Sequence, residues 1–184
     1  MNKLIKPFSV FFSLYLLWLL ADNILDEIDF FARFWWFFYH LLLKVEKIIS
    51  VYFLSIFWNI KAIITGYRDI ALPNGEIITI WNNYLGYDII ALFTCFIIAW
   101  PAKWKNRIWF IISGNLLIFL VNTLLLSIVM KQISVINLNS PIPQLNRYKT
   151  VLYIITVILW IIFIVFFSDK KFIKSLDIRK DKTL

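Results

Sequence analysis

The sequence predicts an all-α integral membrane helical bundle that forms a single domain, residues 1–184. Apolar residues make up 61% of the chain, whereas a soluble domain contains about half. Several apolar runs approach the ~17–25 residues that a transmembrane helix requires. Basic clusters recur between these runs, as they do in the cytoplasmic loops of membrane proteins.

Four apolar runs predict four transmembrane helices, at residues 7–21, 84–100, 108–130 and 151–167. Residues 26–60 are ambiguous. Their first part is an aromatic-rich segment whose charged residues recur at helical spacing, and their second part is an apolar piece too short to cross alone. The topology needs an even number of crossings, so this segment adds either zero or two transmembrane helices.

Basic residues predict the side of the membrane on which each loop lies. Lys3 and Lys6 precede the first run, three basic residues follow Pro101, and the C-terminal tail is rich in lysine. By the positive-inside rule, both termini are cytoplasmic in a multi-pass protein of the inner (cytoplasmic) membrane. These basic clusters in the cytoplasmic loops and tails account for the net charge of +8. Outside the membrane, the sequence has no face of basic and aromatic residues of the kind that binds nucleic acid. Membrane lipid is therefore the expected partner.

The cysteine and histidine content excludes several kinds of site. The single Cys95 cannot form an intramolecular disulfide, and with the single His40 it leaves too few ligands for zinc. We therefore expect no metal and no cofactor. Cys95 lies deep in the second apolar run, where a buried and unreactive thiol is expected.

A small β-hairpin is expected on the outer side at about residues 60–83. Apolar residues alternate with others on both sides of the sequence Pro73-Asn74-Gly75-Glu76. Asn-Gly is a strong hairpin signal, because the two central positions of the turn require positive φ. The alternative is an ordered loop without strands.

Two motifs carry the functional expectation: Asn82-Asn83-Tyr84-Leu85-Gly86, and, at the far end of the next helix, Val121-Asn122-Thr123-Leu124-Leu125. Together with Pro101-Ala102-Lys103-Trp104-Lys105 and the spacing from Gly114 to Asn122, they resemble the exosortase/archaeosortase family. The resemblance covers residues 77–130 well and 145–165 loosely. It implies a membrane-embedded transpeptidase or peptidase that recognises and cleaves the C-terminal sorting tail of an exported protein.

The resemblance places the family's nucleophilic cysteine at Tyr84 and its arginine at Leu125, with Arg147 as the possible third position. The predicted topology puts all three near the outer face. A tyrosine hydroxyl has a pKa of about 10, against about 8.5 for cysteine, and leucine cannot stabilise an anion. The expected function is therefore a degenerate member that binds sorting tails rather than cleaving them, although whether any enzyme activity remains is left open.

Asp88 and Asn122 are candidate binding residues in a tail-binding groove. The alternative is that such polar side chains form hydrogen bonds between helices. Two other functions stay open: an active membrane cysteine-type transpeptidase with relocated chemistry, for which Cys95 is the candidate nucleophile, and a small structural subunit of an envelope complex.

Overall fold

The computed structural model describes residues 4–25, 29–80, 85–136 and 142–169, together with residue 172, and it describes side chains at 4–21, 37–80, 85–135, 148–169 and 172. Within these ranges the chain forms five helices and three short strands. In chain order they are α1 (Ile5–Leu25), α2 (Asp29–Trp58), β1 (Ile63–Ile64), β2 (Asp69–Ala71), β3 (Ile77–Thr79), α3 (Tyr87–Ala99), α4 (Trp104–Ile136) and α5 (Ile142–Phe167).

Two of the five helices are long and apolar enough to cross a membrane. They correspond to segments Trp104–Val135 of α4 and Tyr148–Phe167 of α5. The apolar parts of α1 and α3, Ile5–Ala21 and Tyr87–Ala99, are shorter than these two segments and do not reach that length. The mainly helical fold with a small sheet is therefore confirmed, and two of the four expected spans meet the length requirement.

Helix α3 packs against α1, α4 and α5, and α5 also packs against α4. Phe96 of α3 contacts Phe11 of α1, with ring centroids 5.7 Å apart, and stacks on Trp160 of α5 at 4.4 Å. A Cβ atom added at Gly114 of α4 would lie 2.3 Å from the Phe93 ring, so only glycine allows α4 to approach α3 this closely. The shared core, called the bundle cluster below, consists of Phe11, Ile89, Phe93, Phe96, Ile97, Trp100, Ile118, Leu152 and Phe163.

A second core lies between α2, the sheet and the later half of α4. Helices α2 and α4 run parallel here: Ser127 Oγ donates to the Ser50 carbonyl at 3.3 Å, and the Lys131 amine lies 5.3 Å from the Trp58 ring centroid. This core, called the sheet cluster below, consists of Leu43, Leu54, Ala62, Ile70, Leu72, Ile80, Leu85, Leu126, Val129, Met130 and Ile133. Helix α4 thus takes part in both cores.

Helix α2 is one continuous helix, so the expectation of two separate pieces in 26–60 is wrong. One face of α2 is buried, and its residues recur at helical spacing: Leu43, Glu46, Lys47, Ser50 and Leu54. This face packs without interruption across the boundary that the sequence suggested. The helix ends where Asn59 adopts a left-handed conformation, with φ of 53°, and its N–H donates to the Ser55 carbonyl.

The predicted hairpin is confirmed, and the structure adds a third strand. β2 pairs in antiparallel fashion with both β1 and β3. The β2–β3 turn contains Gly75 with φ of 88°, a conformation that glycine adopts without strain. The Asn74 amide also donates to the carbonyls of Ile133 and Ser134, at 3.3 and 3.4 Å, so this turn also binds the last carbonyls of α4.

The expected outer loop at 131–149 is shorter than predicted. Helix α4 continues to Ile136, and α5 already begins at Ile142. Pro143 was expected to block helix, but it lies in the first turn of α5. A proline is tolerated there because its missing N–H would have no partner within the helix.

Candidate functional site

The two sequence motifs meet where α3 begins. Gly86 precedes α3 with φ of 68°, and its carbonyl accepts hydrogen bonds from the N–H groups of Ile89 and Ile90, both at 3.1 Å. A Cβ atom at Gly86 would lie 3.4 Å from Cγ of Asn122. The glycine of the first motif and the asparagine of the second are therefore direct neighbours.

Helices α3 and α4 are antiparallel, and this arrangement produces the meeting. Asn115 Nδ2 donates to Thr94 Oγ1 at 3.0 Å, about two turns from the Gly86–Asn122 contact. Asn115 thus forms a hydrogen bond between helices, as polar side chains inside helical bundles commonly do.

Asn122 also contacts a residue that the sequence analysis did not select. Its amide donates a hydrogen bond of 2.7 Å to Oε1 of Glu46 on α2. Glu46 is fully buried, and Asn122 is 8% exposed. The second carboxyl oxygen of Glu46 has no hydrogen-bond partner, and neither has the buried hydroxyl of Ser50, one turn further along α2. The site is thus a buried polar cluster with incomplete hydrogen bonding.

Burial changes the acidity of this carboxyl. Helix α2 is not one of the two helices long and apolar enough to span a membrane. Removal from water raises the pKa of Glu46 from 4.5 to about 8, while the hydrogen bond from Asn122 acts in the opposite direction. The carboxyl therefore holds its proton to a much higher pH than an exposed glutamate does.

Lys47, the neighbour of Glu46, ties α2 to the β1–β2 loop. Its amine donates to the carbonyls of Gly66 and Tyr67, at 2.8 and 2.6 Å. The ring of His40 stacks on Tyr67 with centroids 4.3 Å apart. Lys47 belongs to the charged residues that recur at helical spacing in 26–60. It is buried, because the loop carbonyls replace water around its amine.

Leu125 lies among apolar side chains. It is half-buried and packs against the bundle cluster. The next residue, Leu126, belongs instead to the sheet cluster. Leu125 therefore offers apolar contact surface and cannot itself stabilise a negative charge.

The remaining candidate residues are placed less completely. Asp88 is exposed in the first turn of α3, where a carboxylate interacts favourably with the helix dipole. Tyr84 lies outside the described residues. Arg147 falls within the first turns of α5, but its side chain is outside the described part.

Cys95 lines a partly open cavity of about 280 Å³ between α1, α2 and α3. Cys95 is half-buried. It is less buried than expected, because one side of it faces this cavity. The walls are almost entirely apolar and include Trp18, Phe38, Leu42, Tyr87 and Ala91. Across the described residues, no three side chains of His, Cys, Asp or Glu are grouped as metal ligands would be.

One sequence signal could have identified Glu46. It stands four residues before Ser50 and three after Leu43, so it shares their helix face. A carboxyl on an otherwise apolar, buried face requires a partner. The partner, Asn122, comes from a distant helix, which local spacing does not reveal.

A comparison with known protein families, characterised proteins and solved structures finds no match to this chain. The family expectation therefore rests on the motif residues. Two of them, Gly86 and Asn122, are in contact, and a third, Leu125, lies one turn along α4 in an apolar setting.

Proposed function

We propose that the protein is an exosortase/archaeosortase-like protein of the inner membrane that binds C-terminal sorting tails of exported proteins and does not cleave them. The observation that carries this proposal is the Gly86–Asn122 contact. It keeps the two motif segments together at one end of the bundle. Leu125 stands at the place where the resemblance requires an arginine, and an aliphatic side chain cannot stabilise an acyl-transfer oxyanion.

The proposed topology has four spans, formed by α1, α3, α4 and α5, with both termini cytoplasmic. Their packing supports alternating directions. Phe8 near the start of α1 contacts Trp100 just after α3, and the Trp100 indole donates to Ser168 just after α5, at 2.7 Å. The start of α1 thus lies beside the ends of α3 and α5, so α1 runs in the direction opposite to both, as four successive crossings require.

Helix α2 adds no crossing in this topology. It leads from the outer end of α1 to the sheet that precedes the outer end of α3, and its second half lies parallel to the outer half of α4, from the Ser50–Ser127 contact to the Trp58–Lys131 contact. An exposed apolar stripe on α2 supports contact of this helix with lipid. The stripe consists of Phe37, Leu41, Ile48, Tyr52 and Ile56.

The partner in this proposal is a tail that leaves the membrane at the outer end of α3. Asp88, two residues after the motif glycine, is exposed, and Asn122 contacts that glycine from below the surface. The carboxylate of Asp88 can accept hydrogen bonds from the backbone of an extended segment, and Asn122 holds the glycine in place beneath it. The apolar surface around Leu125 can contact its hydrophobic part.

Tail cleavage tests the proposal. The protein would be co-expressed with an exported protein that carries a signature, a transmembrane helix and a basic end, and the length of that protein would be followed by mass spectrometry. We expect the tail to remain intact. Cleavage that is lost in Tyr84→Phe would show an active enzyme and would reject the degenerate assignment.

The active alternative depends on Cys95, and it has weaker support. The thiol faces an apolar cavity, and the residues described in its lining include no histidine, carboxylate or lysine to act as a base. Cleavage that survives Tyr84→Phe and is lost in Cys95→Ser would establish this alternative. The structural-subunit alternative predicts a fixed copurifying partner and no affinity for sorting tails.

A further inference from the structure

The three-stranded sheet has one edge that the described residues leave without a hydrogen-bonding neighbour. The strand order is β1-β2-β3, so β1 and β3 are the two edge strands. Strand β1 packs against α2, whereas β2 is the one described element that packs extensively on β3. An edge strand of this kind presents unpaired N–H and C=O groups, and these are a template for pairing with a further strand.

The pairing of β2 with β3 determines which backbone groups face this edge. Ile80 N–H donates to the Arg68 carbonyl at 2.9 Å, so Ile80 directs its backbone groups towards β2. Successive residues of an antiparallel strand direct these groups to opposite sides. Ile77 and Thr79 therefore direct their N–H and C=O groups away from β2. Within the described residues these four groups have no hydrogen-bond partner.

The side chains at the same edge belong to an exposed apolar row. Ile63, Ala71 and Ile77 are register partners across the three strands, and Ile63 and Ile77 are 66% and 62% exposed. Beside this row the Thr79 hydroxyl donates to Oδ1 of Asp69 at 2.7 Å. An added strand would therefore continue the row with an apolar side chain beside Ile77 and would place a polar side chain beside Thr79.

The edge of β3 leads to the mouth at which the proposed function places the sorting tail. Ile80, directly after β3, and Leu85, directly before Gly86, both belong to the sheet cluster. The chain after β3 thus returns to the start of α3. A tail that passes from the outer side into the membrane runs in the direction of β3 followed by α3. Its extended part can therefore lie parallel to β3 before its helix enters the bilayer.

We propose that β3 recognises the extended segment of a sorting tail by strand addition. The segment joins the sheet as a fourth strand parallel to β3, with an apolar residue beside Ile77 and a polar residue beside Thr79. In this mode of binding, main-chain hydrogen bonds supply the affinity and alternate side chains supply the selectivity. The inference rests on the proposed function, because it takes the sorting tail as the occupant, and it assigns recognition to a surface that neither sequence motif contains.

Strand addition can be tested on the wild-type protein by changing the peptide alone. A labelled peptide with a signature, a transmembrane helix and a basic end would be titrated in nanodiscs after N-methylation of each signature amide in turn. Alternate amides of an added strand face β3, so we expect every second position to weaken binding, by about fivefold where one hydrogen bond is lost. Equal losses at adjacent positions, or no loss at any position, would overturn the inference and leave the proposed function standing.

A matched pair of protein variants compares the two edges of the sheet. Thr65 N–H donates to the Asp69 carbonyl on β2, so the neighbouring Ile64 directs its N–H away from β2. Ile77→Pro therefore removes an outward donor from β3, and Ile64→Pro removes one from β1, and a proline is compatible with an edge strand at such positions. We expect binding of the unmodified peptide to be about fivefold weaker for Ile77→Pro and unchanged for Ile64→Pro, with similar unfolding midpoints. Equal affinities of the two variants would contradict strand addition at β3.

Two further outcomes of these experiments have distinct meanings. If the wild type shows no saturable binding of the unmodified peptide, the proposed function fails and the inference fails with it. The other possible occupant of the β3 edge is a second copy of this chain. If light scattering shows a dimer of the wild type in detergent, and Ile77→Pro dissociates it while Ile64→Pro does not, the second copy occupies the edge and the inference is rejected.

Discussion

The side chain of Asn122 donates a hydrogen bond of 2.7 Å to the buried carboxyl of Glu46. This bond joins α4 to α2, and the same asparagine contacts Gly86 at the start of α3. Asn122 therefore links the three elements that surround the proposed binding mouth. The consequences of this link can be measured.

The stability of the protein should fall as pH rises. The pKa of Glu46 is raised by burial from 4.5 to about 8, so the folded state binds the proton more tightly than the unfolded state. The stabilisation is complete below about pH 4.5 and is lost progressively up to about pH 8. The free energy of unfolding falls by roughly 3–5 kcal/mol over this range.

Thermal unfolding in nanodiscs between about pH 5 and pH 9 would measure this slope. Glu46→Gln should flatten it, because an amide does not ionise. Glu76→Gln is the matched control, since Glu76 is exposed in the β2–β3 turn, and it should leave the slope unchanged. A wild-type protein that gains stability over this range would contradict the assigned environment of Glu46.

The Glu46–Asn122 pair should show strong coupling. Asn122→Leu leaves the carboxyl without its donor, so we expect a loss of about 1–3 kcal/mol. Replacement of both residues by leucine removes the unsatisfied group and should recover most of that loss. Denaturant unfolding of the single and double variants measures the coupling energy, and additive effects would show that the bond contributes little.

Gly86 and Gly75 allow backbone strain to be separated from crowding. Both have positive φ, but a Cβ at Gly75 would meet nothing within 4 Å, whereas one at Gly86 would lie 3.4 Å from Asn122. Each substitution by alanine should cost about 1–2 kcal/mol from the left-handed conformation. We expect Gly86→Ala to cost more, and unfolding midpoints would check this. Equal costs would mean that Asn122 moves away freely.

Lys47 should control the order of the β1–β2 loop. Lys47→Met removes the two hydrogen bonds to the carbonyls of Gly66 and Tyr67, so amide exchange across 65–68 should accelerate severalfold. Lys44→Met is the matched control, because Lys44 is exposed on the same helix. Acceleration of similar size in both variants would assign the effect to lost charge rather than to the lost contacts.

The elements with local signals were predictable from the sequence. The apolar runs indicated α1, α3, α4 and α5, and Pro73-Asn74-Gly75 indicated the turn between β2 and β3. The boundaries were less accurate, because Pro143 was read as a helix breaker although a proline in the first turn is compatible with a helix. The alternating apolar residues at 60–64 and 77–79 indicated β1 and β3, whereas the strand between them, β2 (Asp69–Ala71), was not predicted and has only three residues.

The polar cluster required information that local spacing does not contain. Local spacing placed Lys47 among the charged residues of 26–60 and did not mark Glu46. Both are buried because their partners come from distant segments: Asn122 on α4 and the carbonyls of the β1–β2 loop. The contact between Gly86 and Asn122 was not predicted, although the expected topology placed the two motifs near the same outer face.

The measurement that tests the central proposal most directly is the affinity of the purified protein for a sorting tail in nanodiscs. A labelled peptide with a signature, a transmembrane helix and a basic end would be titrated against the wild type, Gly86→Leu and the distant control Val157→Leu. The proposal predicts saturable binding to the wild type and the control, at least tenfold weaker binding to Gly86→Leu, a loss of about 1.4 kcal/mol or more, and a bound peptide of unchanged mass. Equal affinity for all three proteins, or recovery of a shortened peptide, would contradict it.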